Sequence, residues 1–214
     1  EVLGHPLIAA ARAVRNDVRL TRDTRLLVVS GSNMSGKSTL LRAIGVNAVL
    51  ALAGGPVCAR RLAMPPVDVF TSMRIEDSLE RGVSLFMAEL QRLKMVVDAA
   101  DAARDRPVLY LLDEILHGTN TAERQVAVRE VLAHLLRSRA LGAISTHDLE
   151  LAAAPALADA VVPVHFQETV HPEGHEPPMT FDYRLREGIA TSTNALKLVR
   201  LVGLATPSAP TSAD

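Results

Sequence analysis

Residues 31–39 read GSNMSGKST and fit the pattern G-x-x-x-x-G-K-[ST], which is typical of loops that hold the phosphates of a nucleotide. In such a loop, small residues let successive backbone N–H groups converge on one phosphate, and the following helix directs its positive end there. Lys37 would reach the β- and γ-phosphates, while the Ser38 hydroxyl would occupy one position on an octahedral Mg²⁺. The pattern predicts binding residues throughout this phosphate loop: Gly31, Ser32, Asn33, Met34, Ser35, Gly36, Lys37, Ser38 and Thr39.

Two carboxylates, Asp113 and Glu114, end the apolar run LYLLDE. Ligands of parallel sheets gather at the carboxyl ends of the strands, so we expect this pair to face the phosphate loop. Asp113 would hold the magnesium through water, and Glu114 would orient and polarise the attacking water. Taken alone, the pair could equally mark a helix N-terminus; the loop upstream favours the catalytic interpretation.

Three histidines need separate interpretation. His147 directly follows the apolar run in AISTHD, where its side chain could contact both the γ-phosphate and the attacking water. A lone histidine is more often structural, but a position at a strand end favours the functional interpretation. His171 and His175 in HPEGHE lack a third metal ligand nearby, so a solvated loop is favoured over a metal site.

Short apolar runs predict buried strands that would carry these residues. Because helical segments separate them, they indicate an α/β sandwich with a largely parallel central sheet. One helix is predicted from 37 to 53, and another from 120 to 139, where Asn120 and Glu123 form a capping-box pattern. The predicted strands are residues 25–30, 107–114 and 141–146.

The C-terminal third has a different character. Residues 161–170 and 179–188 are typical of the two arms of an antiparallel hairpin, joined by a polar, proline-rich loop. A last helix is predicted at 193–204, and the small, polar residues 205–214 predict a disordered tail. We therefore expect one domain over residues 1–204.

Composition limits the possible functions. The formal net charge of -1 does not predict a nucleic-acid surface, so any DNA contact must be local or lie elsewhere. The single cysteine, Cys58, excludes an internal disulfide and favours a reducing, cytoplasmic location, with a half-buried structural thiol as the favoured interpretation. Neither a bilayer-spanning run nor a signal peptide is recognisable, and the start at Glu1 suggests a piece of a larger protein.

Together these motifs resemble the C-terminal ATPase domain of the MutS mismatch-repair family, a branch of the ABC-type ATPases, from about residue 4 to residue 204. The family loop G-P-N-M-G-G-K-S-T appears here as GSNMSGKST, in which the Asn33–Met34 pair is the most specific signal. The family segments T-R-I-G-A-x-D and S-T-F-M-x-E-M match TSMRIEDSLERGVSLFMAEL, and L-D-E-x-x-x-G-T-S-T matches LDEILHGTNT. The family A-T-H appears as STH.

The resemblance implies a P-loop NTPase fold with an ABC-ATPase-like three-layer sandwich and an antiparallel β portion. It also implies ATP and Mg²⁺ as cofactors and a dimer, with a second copy or a MutS-like partner, closed around ATP. In that dimer Ser84 would reach the γ-phosphate bound on the partner, beside Gly118, Thr119, Asn120 and Thr121. Tyr183 would stack on adenine, although an aromatic side chain can also serve core packing. DNA would be handled by domains of the parent protein that this chain lacks.

Several positions depart from the family pattern: Ser32 replaces Pro, Ser35 and Arg74 replace Gly, and Leu85 replaces Thr. The family's phenylalanine is missing from AVRND, so we expect adenine to be held on one face only. Two other functions stay open. One is an ATP-gated dimerisation or interaction module with negligible turnover and a role outside mismatch repair. The other is a small-molecule enzyme such as a kinase, for which no acceptor pocket or arginine-rich lid is recognisable.

Overall fold

The computed structural model describes residues 2–73, 85–116, 120–148, 160–171 and 179–190, together with Leu151 and Pro177. The helices are α1 (Lys37–Leu52), α2 (Leu85–Ala102) and α3 (Thr121–Arg137). The strands are β1 (Leu26–Ser30), β2 (Asp68–Ser72), β3 (Val108–Asp113), β4 (Ala140–Ser145), β5 (Val161–His165), β6 (Glu168–Val170), β7 (Met179–Phe181) and β8 (Arg186–Glu187).

A central sheet of six strands has the order β2-β3-β4-β1-β5-β8. The first five run parallel, and β8 pairs antiparallel with β5. Ser145 at the end of β4 is aligned with Val29 of β1 on one side and with Asp113 of β3 on the other. The segments that follow β1, β3 and β4 therefore leave the sheet at one edge, where α/β proteins bind ligands.

Hydrophobic cores cover both faces of this sheet, because successive strand side chains point to opposite sides. On β1, Leu26 and Val28 belong to a core with α2 and α3, whereas Leu27 and Val29 belong to a core with α1. Tyr110 is fully buried in the first of these cores, and burial raises the pKa of its phenol. Helices on both faces hold the strand ends, and hence the loops that follow them, in fixed positions.

The predicted strands at 25–30, 107–114 and 141–146 are confirmed as β1, β3 and β4, each within one residue at either end. The predicted helices at 37–53 and 120–139 are confirmed as α1 and α3. The side chain of Asn120 caps α3 by accepting a hydrogen bond from the Glu123 N–H at 2.9 Å. The mixed α/β class with a mostly parallel sheet is thus correct.

The predicted hairpin of residues 161–170 and 179–188 is divided between two sheets. β6 and β7 form a separate antiparallel pair, while β5 and β8 pair with each other at the edge of the central sheet. The first half of the arm joins the sheet because Val162 and Val164 complete the apolar surface beside β1. Sequence analysis assigned no elements to β2 and α2, and the predicted helix 193–204 and tail 205–214 lie outside the described residues.

The N-terminal segment is held to α1 by a buried asparagine. Asn47, 1% exposed, donates from Nδ2 to the Gly4 carbonyl at 2.9 Å, and its Oδ1 accepts from the Cys58 N–H at 2.5 Å. Cys58 is half-buried, as expected for a structural thiol. Among the helices of the described ranges, none is long and apolar enough to cross a bilayer.

Replacement of Gly142 on β4 by alanine should disrupt the contact between β3 and β4. A Cβ atom at this position would lie 2.0 Å from the Tyr110 carbonyl oxygen and 2.6 Å from its ring. We expect a loss of about 3 kcal/mol in the free energy of unfolding, measured by urea titration. Gly45→Ala in α1 is the control, because there the Cβ would meet only the flexible end of Leu111 at 2.8 Å. Equal effects would contradict this account.

Candidate functional site

The phosphate loop joins β1 to α1 and contains three residues with positive φ. Gly31 has φ 137°, Met34 has φ 66° and Gly36 has φ 107°. A Cβ atom on Gly31 would lie 2.9 Å from the Phe166 carbonyl oxygen, so the close packing at this turn requires glycine. α1 begins at Lys37, directly after these turns. The loop thus lies at the N-terminus of a helix of 16 residues, an arrangement that favours anions.

Lys37 is 4% exposed, and its ammonium group lies inside the loop. It donates to the carbonyl oxygens of Gly31 at 2.9 Å and Ser32 at 3.0 Å. Its third close partner is the Glu114 Oε1 atom, at 3.1 Å. These contacts compensate a buried positive charge and fix it where a bound phosphate could approach.

Ser38 and Asp113 form the second contact between the loop and the end of β3. The Ser38 hydroxyl donates to Asp113 Oδ1 at 3.0 Å, and the Ser145 hydroxyl from β4 donates to the same oxygen. Sequence analysis predicted Ser38 and Asp113 but missed Ser145. In the STH motif only the histidine was predicted as a site residue. Ser145 stands at the end of the same predicted strand, and that position is the sequence signal for it.

Glu114 follows β3 with a strained backbone, at φ 48°. Its N–H donates to the Ser145 carbonyl oxygen at 3.2 Å, which ties this turn to β4. The turn directs the carboxylate toward Lys37, while His147 Nδ1 lies 3.8 Å from Glu114 Oε1. The structure therefore brings together three residues that were predicted from distant parts of the sequence.

A cavity of about 780 Å³ opens beside the phosphate loop. Its wall includes Asn33, Met34, Gly36, Lys37, Ser38, Thr39, Glu114 and Tyr183. The N-terminal segment also lines the cavity, with Ile8, Arg12, Ala13 and Val14. The volume falls in the range of sites for small ligands and cofactors.

Tyr183 lies in this wall with its side chain half exposed and its backbone at φ 56°. Its ring stacks against Phe181 with the centroids 5.9 Å apart, and its Cδ1 atom would lie 3.3 Å from a Cβ atom on Gly36. Asn16 holds this segment, donating to the Tyr183 carbonyl at 3.0 Å and accepting from the Leu185 N–H at 2.8 Å. A half-exposed ring in a cavity wall argues against core packing alone, and Asn16 is a contact that sequence analysis missed.

The residues at the loop fit a magnesium ion chemically. The Ser38 hydroxyl and the Asp113 carboxylate are hard oxygen ligands, and their oxygens converge to 3.0 Å. Within the described ranges, no group of three or more His, Cys, Asp and Glu side chains could hold a metal ion. Magnesium needs no such group, because it is commonly bound by one or two protein oxygens together with phosphate and water.

The remaining predicted residues fall into two groups. Ser84, Gly118, Thr119 and His175 lie outside the described residues, and the interface predicted for them stays a prediction. His171, expected in a solvated loop, directly follows β6; it is half-buried, and its Nε2 atom lies 2.8 Å from Thr180 Oγ1 on β7.

Comparisons with known proteins gave two findings. The family model described as MutS domain V matches residues 27–210. The protein named DNA mismatch repair protein MutS 2, from Halobacterium salinarum, is 36% identical to this chain over 210 residues. That match covers 95% of this chain but only 23% of the relative's length.

The stability of the folded chain should depend on pH through Asp182, the residue before Tyr183. The side chain of Arg186 hydrogen-bonds this carboxylate and, with the Arg184 N–H and both positive charges, lowers its pKa to about 2. Because this pKa is lower in the folded state, the ionised carboxylate stabilises the fold at pH values above its ordinary pKa of about 3.9. That stabilisation is lost as the pH falls toward about 2. Asp182→Asn should therefore lower the melting temperature at neutral pH, and the difference from the unaltered chain should shrink below about pH 4. Asp23→Asn, at an exposed position, is the control; a constant difference down to about pH 2 would contradict this account.

Proposed function

This chain belongs to the MutS domain V family, and we propose that it is an ATPase domain that binds and hydrolyses Mg·ATP. The proposal includes a P-loop NTPase fold of the ABC type, in which helices lie on both faces of a mostly parallel sheet. The observation that carries it is the convergence of the phosphate loop with the acid pair. Lys37 Nζ lies 3.1 Å from Glu114 Oε1, and Ser38 Oγ lies 3.0 Å from Asp113 Oδ1.

Catalysis in this proposal is mainly electrostatic. The N–H groups of residues 31–37 and the positive end of α1 would stabilise negative charge on the β- and γ-phosphates. Lys37 would add a full charge whose position is already fixed by the carbonyls of Gly31 and Ser32. Because these groups are held before ATP arrives, little reorganisation would be needed during the reaction.

Magnesium would be held by the Ser38 hydroxyl and, through water, by Asp113. When bound, the ion supplies charge neutralisation at the β- and γ-phosphate oxygens. The Ser145 hydroxyl would assist by donating to Asp113 Oδ1, which orients this carboxylate toward Ser38. Ser145 is thus proposed as a positioning residue for the metal ligands.

Glu114 and His147 would orient the attacking water. The carboxylate of Glu114 can accept a hydrogen bond from water. The strained backbone at Glu114 holds this carboxylate beside Lys37 of the phosphate loop. His147 is half exposed and 3.8 Å from this carboxylate, so its ring can approach the same water. Holding water and γ-phosphate in line is a large part of what such a site can contribute.

Adenine would stack on Tyr183 in the cavity beside the loop. Aliphatic residues of the N-terminal segment, Ile8 and Val14 among them, line the same cavity and would add apolar contacts to the base. The other proposals come from the family: a dimer closed around ATP, with Ser84 acting on the partner's γ-phosphate, and DNA-handling domains elsewhere in the parent protein. The relative carries mismatch repair in its name, and a mismatch-repair-like role is proposed for this chain on that basis.

A second candidate is an ATP-gated interaction module with negligible turnover. It is favoured by the contact between Glu114 and Lys37, because an ion pair at 3.1 Å occupies a carboxylate oxygen that would otherwise be available to the attacking water. In that case ATP binding would drive assembly and hydrolysis would be too slow to matter. The two candidates differ in a single measurement, the turnover rate of the chain.

Glu114→Gln tests the catalytic assignment. The variant should retain or strengthen ATP binding, because it removes a negative charge near the phosphates, and should reduce turnover by at least about 100-fold. Phosphate release and equilibrium ATP binding would be measured on the same protein. Glu130→Gln, on an exposed position of α3, makes the same charge change away from the loop and should leave both values unchanged. Unaltered turnover in Glu114→Gln would reject the assignment, and negligible turnover in the starting chain would favour the second candidate.

Ser84→Ala tests the proposed dimer. If Ser84 completes the partner's site, specific activity should rise with protein concentration, and this rise should largely vanish in the variant while ATP binding to the monomer is retained. Ser84→Thr keeps a hydroxyl and should retain part of the rise. If specific activity does not change with protein concentration, and sedimentation shows that the protein is monomeric, a composite site is contradicted.

A further inference from the structure

Glu168 is a buried carboxylate beside the phosphate loop that the proposed chemistry does not use. It lies at the start of β6 and is 8% exposed. Its Oε2 atom accepts a hydrogen bond from the hydroxyl of Ser32, at 3.1 Å. Position 32 is where the resemblance expects proline, which has no hydroxyl, so this contact depends on the residue that this chain has there.

From Glu168 a short series of contacts leads to Tyr183 in the cavity wall. Glu168 is aligned with Phe181 across the β6–β7 pair, and the Phe181 ring stacks against Tyr183. Ser32 in turn offers its carbonyl oxygen to Lys37 Nζ at 3.0 Å. Ser32 therefore contacts both the residue proposed to bind phosphate and the hairpin that leads to the proposed adenine contact.

The chain between β5 and β6 also packs on the loop. The Phe166 N–H donates to the Ser30 carbonyl oxygen at 3.1 Å, and the Phe166 ring approaches the position of a Cβ atom on Gly36 within 3.9 Å. These contacts fix the base of the hairpin. The bond from Ser32 to Glu168 lies further along the hairpin and can resist its movement relative to the loop.

We propose that Glu168 is a positioning residue that holds the β6–β7 hairpin against the phosphate loop, so that phosphate binding and adenine stacking are coupled through Ser32. The inference rests on the proposed function, in which the loop and Tyr183 bind opposite ends of ATP. A ligand that contacts both parts gains from a fixed distance between them, because it does not have to order them on binding. A ligand that contacts one part gains nothing.

Ser32→Ala is the sharpest test, because it removes the hydrogen bond without changing any charge. Affinities would be measured by calorimetry for ATP, for inorganic tripolyphosphate and for adenosine. We expect ATP affinity to fall about 5- to 10-fold, within the range of one ordinary hydrogen bond, and the other two affinities to change less than about twofold. Ser32→Thr keeps the hydroxyl and should bind ATP within about threefold of the unaltered chain.

A double-mutant cycle separates this coupling from the charge of Glu168. Glu168→Ala also removes a negative charge near the phosphates, but Ser32→Ala combined with it should cause no further loss of ATP affinity. Glu168→Gln keeps a hydrogen-bond acceptor and should retain most of the ATP affinity, and Glu187→Ala on β8 is a control for an exposed acid.

Three results would be decisive against the coupling: additive losses in the cycle, equal losses for ATP and tripolyphosphate in Ser32→Ala, or unchanged ATP affinity in Ser32→Ala. If the unaltered chain binds neither ATP nor tripolyphosphate, the proposed function itself is rejected.

Discussion

The burial of one positive charge organises the candidate site. An ammonium group that is 4% exposed is stable only if nearby dipoles and charges replace its hydration, and Lys37 obtains this from two loop carbonyls and Glu114. To supply those carbonyls the loop must turn back on itself, which requires the positive φ angles at Gly31 and Gly36. To supply the carboxylate, the turn after β3 must leave the sheet at the same edge. These contacts hold the ammonium group in one position inside the loop.

The parallel sheet makes this convergence possible. Strands β1, β4 and β3 are neighbours, so the chain segments that follow them start within two strand spacings of each other. Ser145, on the strand between the other two, donates to Asp113 and accepts from the Glu114 N–H through its carbonyl oxygen. A residue on the middle strand thereby holds both acids at the end of β3, and Asp113 in turn accepts from Ser38 of the phosphate loop. Helices on both faces prevent these strand ends from separating.

The side chains of Ser32 and Ser35 distinguish this phosphate loop from the family pattern. Ser32 supplies a hydroxyl to Glu168, whereas Ser35 Oγ is buried and has no hydrogen-bond partner among the described residues. A buried hydroxyl without a partner is unfavourable by about 1 to 3 kcal/mol. Ser35 lies within 3.0 Å of the position of a Cβ atom on Gly31, so the tight turn leaves its hydroxyl enclosed. The loop thus combines one bonded and one enclosed hydroxyl where the resemblance expects proline and glycine.

The sequence by itself determined the local patterns: the loop with its lysine, the acid pair, β1, β3 and β4, and the cap of α3 at Asn120. These could be predicted because each depends on residues within one short segment. It left β2 and α2 unassigned and treated residues 161–170 as one arm, because the division between two sheets depends on pairing with β1. Only the tertiary structure brought Asn16, Ser145 and Glu168 to the site. Their partners lie 167, 32 and 136 positions away in the chain, and contacts over such separations are set by the packing of the whole sheet.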